Sequence, residues 1–99
     1  MMTIWKFPLP DVKDVQELEL PATCHILGGM QVQAGIPTFW AIVNTDAPKV
    51  KVNIHVRGTG HELNLPPPPL AVHIGTVQLG PLVWHYFLEQ QRSNIVRPH

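Results

Sequence analysis

Ninety-nine residues with 44% hydrophobic and only 14% charged side chains describe one globular domain rather than a disordered chain, since ordinary domains carry about 25% charge. Seven Lys/Arg balance seven Asp/Glu, which disfavours duplex nucleic acid as a partner, because duplex binders carry a basic excess. One cysteine, Cys24, excludes an internal disulfide and fits a reducing cytoplasm, and no apolar run reaches the roughly 18 residues of a membrane-spanning helix.

Strand signals follow one another with proline and glycine between them. Thr3–Phe7 is short, aromatic and stopped by Pro8 and Pro10. Gln16–Leu20 alternates Leu18 and Leu20 with Glu17 and Glu19 and ends at Pro21; a helix over Asp11–Leu20 is the weaker alternative. Cys24–Leu27 leads into Gly28-Gly29, which reads as a bulge or sharp bend before Met30–Ala34. Ile36–Val43 is apolar on both faces in its second half, as expected of a central strand covered on each side.

After a turn at Asn44–Pro48, residues 49–57 give the clearest pattern in the chain. Val50, Val52, Ile54 and Val56 alternate with Lys51, Asn53, His55 and Arg57, a period of two filled by β-branched residues. The spacing predicts antiparallel pairing of 36–43 with 49–57. Residues 58–71 form a loop in which Pro66–Pro69 would extend about 12 Å in polyproline geometry. Val72–Leu79 and Leu82–Leu88 make a hairpin about Gly80-Pro81. The expected fold is therefore all-β: a small antiparallel sandwich or partly open barrel of about seven short strands over residues 1–88, with 89–99 a polar, basic tail.

The candidate site is the turn Arg57-Gly58-Thr59-Gly60-His61. Two glycines let backbone N–H groups approach one oxyanion, and Arg57 adds a planar fork for phosphate or carboxylate. Trp84 and His85 are expected to line the pocket. The alternative is a glycine-rich β-turn whose Thr and His cap their own backbone, and that reading carries more weight. Thr59, His61 and Glu62 also allow a small hydrolase. Cys24 and His25 point to opposite faces of a strand, which rules out a direct Cys–His pair. His55, His73 and His85 lack local metal-ligand spacing, and no metal or other cofactor is expected, although strands could bring them together. Trp5, Trp40 and Trp84 read as three core tryptophans.

Charge is uneven: 11–20 holds four acids against Lys13, whereas 49–57 holds Lys49, Lys51 and Arg57 with no acid. These patches could steer an anion or pair across a symmetric dimer, and strand 49–57 at a sheet edge would invite its symmetry mate, although its lysines oppose that.

Thr3-Ile4-Trp5-Lys6-Phe7, Met30–Gln33, Phe39–Asn44, Val56–His61 and Gly75–His85 together resemble a family of small phage- and prophage-encoded proteins of unknown function. The resemblance implies a non-enzymatic accessory protein in the bacterial cytoplasm that binds and blocks or sequesters a host component. Its partner is expected to be a small anionic, nucleotide-like signal gripped by the 57–61 turn, or else the surface of a host defence protein. A virion decoration protein and a small hydrolase are the other classes.

Overall fold

The computed structural model describes residues 1–66 and 70–90, so Pro67–Pro69 and the expected tail from 91 onward lie outside the described residues. Eight strands form in chain order: β1 (Met2–Pro8), β2 (Val15–Pro21), β3 (His25–Ile26), β4 (Gln31–Gln33), β5 (Ile36–Asn44), β6 (Lys49–Gly58), β7 (Ala71–Leu79) and β8 (Leu82–Gln90). They build two antiparallel four-stranded sheets. In one, β5 pairs β1 on one side and β3 and β4 on the other; the second has the order β2-β6-β8-β7. The all-β expectation holds, and two separate sheets make the molecule a sandwich rather than a closed barrel. Strand β8 runs two residues past the expected boundary at 88, with Glu89 paired between Asn53 and Ala71.

The expected pairing of 36–43 with 49–57 does not form. Strand β5 already has neighbours on both edges, and β6 lies between β2 and β8 in the other sheet. The connection explains why. The Asn44 side chain accepts the Asp46 amide at 3.0 Å and the Asn44 carbonyl accepts the Ala47 amide at 3.0 Å, giving an Asx turn that lifts the chain from one layer to the next. Stacking rather than pairing sets the inward Phe39, Ala41 and Val43 of β5 and Val52, Ile54 and Val56 of β6 into one buried cluster. Strand β6 is therefore central, with no free edge for a symmetry mate. Its basic segment lies beside the acidic one: β2 registers against β6 with Glu19 opposite Lys51, and Lys51 stands 3.9 Å from Glu17. The charge asymmetry of the sequence is thus met largely within one sheet.

Leu18 and Leu20 of β2 point inward as the alternation predicts. Between Ile26, opposite Ala41, and Gln31, opposite Thr38, four residues face two of β5, so Gly28-Gly29 does mark a bulge and splits one edge strand into β3 and β4. The bulge packs against β7 at one point. A Cβ on Gly75 of β7 would meet Met30 Cβ at 2.7 Å and its backbone nitrogen at 2.9 Å, so only glycine admits Met30 here.

Candidate functional site

The 57–61 turn closes on itself. The Gly58 amide donates to His61 Nδ1 (3.1 Å), the His61 amide donates to the Gly58 carbonyl (3.0 Å), and the Thr59 amide donates to the Val83 carbonyl (3.2 Å). Gly60, at φ +88°, supplies the left-handed step that the turn needs. Three of the amides expected to face an anion are thus spent within the fold.

Arg57 is similarly engaged: Nη1 donates to the Asp14 and Val56 carbonyls at 2.8 and 3.0 Å, and Nη2 to the Asn64 carbonyl at 3.2 Å. Two of these bonds tie the 11–14 and 61–66 loops to β6, and the third returns to β6 itself.

Strand alternation divides the sequence-predicted residues between the two sides of the sheet. Gly58, Thr59, His61 and Trp84 come together around a hollow of about 330 Å³ completed by Pro81, Leu82 and Val83. The His61 ring stands edge-on to Trp84, centroids 6.0 Å apart. Because Nδ1 accepts the Gly58 amide, neutral His61 carries its proton on Nε2. Arg57 and His85 are register partners and share the opposite, outer face. Gly60 does not line the hollow. The Thr59 hydroxyl bonds His85 Nε2 (2.8 Å) rather than His61, and Glu62 accepts from the Asn64 amide (3.1 Å), so the Thr59–His61–Glu62 arrangement of the hydrolase alternative is not assembled.

On that outer face Thr76 bridges two histidines, bonding His73 Nε2 at 2.9 Å and His85 Nδ1 at 3.0 Å. His55 is buried with Nε2 2.6 Å from Glu89 Oε1, and its Nδ1 has no partner among the described residues. The three histidines share a sheet face around Phe87, yet among the described residues no three His, Cys, Asp or Glu side chains are placed to hold a metal ion. Burial pushes the Cys24 thiol above its ordinary range, which keeps it in the weakly nucleophilic protonated form.

Sequence reasoning misplaced one tryptophan. Trp5 and Trp84 pack against the core, but Trp40 points outward with Thr38 and Ile42, opposite in parity to the buried Phe39, Ala41 and Val43. Across the strands Trp40 registers with Lys6, and Ile42 with Ile4 on one side and His25 on the other. Ile4 is 55% exposed and Met2 64%. Lys6 Nζ donates to Gln33 Oε1 at 3.1 Å, spanning β5 diagonally past Thr38, which is 1% exposed although it sits on this outer side. The outer face of this sheet is therefore an apolar field of Met2, Ile4, Trp40 and Ile42 rimmed by Lys6 and His25. Its four strands contain no acid at all. The available signal was the doubly apolar pattern of Phe39–Val43, read as a strand covered on both sides when one side is open.

No helix among the described residues is long and apolar enough to cross a membrane. The family profile of DUF7352, a domain of unknown function, matches residues 1–96. No curated protein and no solved structure matches the chain.

Proposed function

We propose that this chain, which belongs to the DUF7352 family, is a non-enzymatic binding module that docks on another protein through the outer face of the β1–β5–β3 sheet. The observation that carries this reading is the apolar field of exposed Met2 and Ile4 with half-buried Trp40 and Ile42 on strands devoid of acid. A sandwich surface normally alternates to polar residues on its outside, and contiguous apolar patches there mark contact sites. Tryptophan at the centre of such a patch is the residue type that most often dominates binding energy. Lys6 and His25 at the rim select a partner surface that is apolar in the middle and acidic around it. In the setting implied by the phage resemblance, the partner is a host protein in the bacterial cytoplasm, blocked by stoichiometric cover. The commitment of Arg57 and of the Gly58, Thr59 and His61 amides within the fold weighs against the nucleotide grip.

The test is capture from bacterial extract by wild type, Trp40→Ala and Lys6→Glu, followed by titration of the purified partner by calorimetry. One-to-one binding that falls about 30-fold or more in Trp40→Ala, the loss of roughly 2 kcal/mol expected of an anchor, supports the reading. Equal binding by all three variants overturns it. So does dimerisation of the isolated chain that Trp40→Ala abolishes, since the face would then belong to a second copy. Stabilisation by a panel of nucleotides, lost in Arg57→Ala, would restore the anionic ligand instead.

A further inference from the structure

A further cavity lies away from both the docking face and the 57–61 turn. About 570 Å³ opens between the two sheets, walled by the 27–30 bulge with Ile26 on one side and by β7 with Leu70 and Leu88 on the other. That volume is within the 300–1,000 Å³ typical of small-molecule sites. Among the described residues its walls are aliphatic or glycine apart from His73 and Thr76, and no Asp, Glu, Lys or Arg lines it. A charged ligand would find no counter-charge, so the composition selects an uncharged one.

Glycine holds the space open. A Cβ built on Gly28 or Gly29 meets nothing within 4 Å, whereas Gly75 is filled by Met30, so the bulge is docked firmly at one end and hollow at the other.

We propose that this cleft binds an uncharged, largely apolar small molecule. The site uses residues distinct from the docking face, so either assignment can fail alone.

Nile red, an uncharged apolar dye, is the probe, read by its fluorescence gain on leaving water. Wild type is expected to bind it saturably. Gly28→Ile fills the cleft from a position without positive φ and should weaken binding at least tenfold; Val72→Trp, at the half-exposed mouth, is the second filling variant should the first fail to fold. Trp40→Ala, on the docking face, should leave it unchanged. No saturable binding, or binding retained by the filling variants and lost in Trp40→Ala, overturns the site.

Discussion

His61 lies where a side chain on Gly58 would have to go. A Cβ at Gly58 would stand 2.7 Å from His61 Cε1 and 2.9 Å from Nδ1, the atom that accepts the Gly58 amide. A methyl here therefore displaces the imidazole and breaks the hydrogen bond that closes the turn. Gly58→Ala is expected to cost about 1–2 kcal/mol, the range for a lost hydrogen bond plus local repacking. His61→Ala should cost a similar amount, and the double variant little more than His61→Ala alone, because the two share one interaction. Urea denaturation of the four proteins measures it; strict additivity would show that the ring does not depend on Gly58.

Gly75 presents the same geometry with a different outcome. Its added Cβ would meet Met30 Cβ at 2.7 Å and the Met30 backbone nitrogen at 2.9 Å, and backbone cannot swing aside. Gly75→Ala should lose about 3 kcal/mol, the upper part of the overpacking range. Met30→Ala, which removes a buried side chain, should lose about 2–5 kcal/mol and should not rescue Gly75→Ala. Recovery in that double variant would place the bulge farther from β7.

Arg57 is expected to act on stability rather than on ligands. Its guanidinium joins three backbone carbonyls from separate segments, at Asp14, Val56 and Asn64. Arg57→Ala should cost about 1–2 kcal/mol, discounted for partial exposure from the range for charge-assisted bonds. It should also speed hydrogen exchange at the Val56 amide, which donates to the Asp14 carbonyl at 3.0 Å. Unchanged exchange at Val56 would mean that the 11–14 loop is held by something else.

These three sites show how far the sequence could be read. Alternation in Val50–Val56 and Leu18–Leu20 reports which face is buried, because a strand has a period of two whatever its neighbours. Alternation says nothing about which strands are neighbours, so the turn at Asn44–Pro48 reads equally as a hairpin or as a step between layers. Trp40 was misplaced for the same reason: two apolar faces identify a central strand but not whether a second layer covers both. Around His61 the glycines were legible as a turn, while the destination of each amide depended on Val83, more than twenty residues away. Trp40→Ala should accordingly cost under about 1 kcal/mol, as a surface change, against about 3–5 kcal/mol for Phe39→Ala in the core. Comparable losses at the two positions would return Trp40 to the interior.

Alkaline pH isolates Tyr86, the only tyrosine in the chain. Burial raises its hydroxyl pKa above the ordinary value of 10.0, because the charged phenolate is penalised by desolvation. With the folded value above the unfolded one, the stabilising difference is fully present below pH 10. It is lost as pH rises from there through the folded value, since the unfolded chain releases its proton first. Cys24, raised by burial from 9.0, adds loss of the same sign beginning near pH 9. Denaturation midpoints from pH 7 to 11 should therefore fall above pH 9, and Tyr86→Phe should remove the part above pH 10. At pH 7 the same substitution should leave stability unchanged or raise it by up to about 1 kcal/mol, because it deletes a buried hydroxyl that has no partner among the described residues. A loss of 1 kcal/mol or more at neutral pH would show that the hydroxyl is paired in solution.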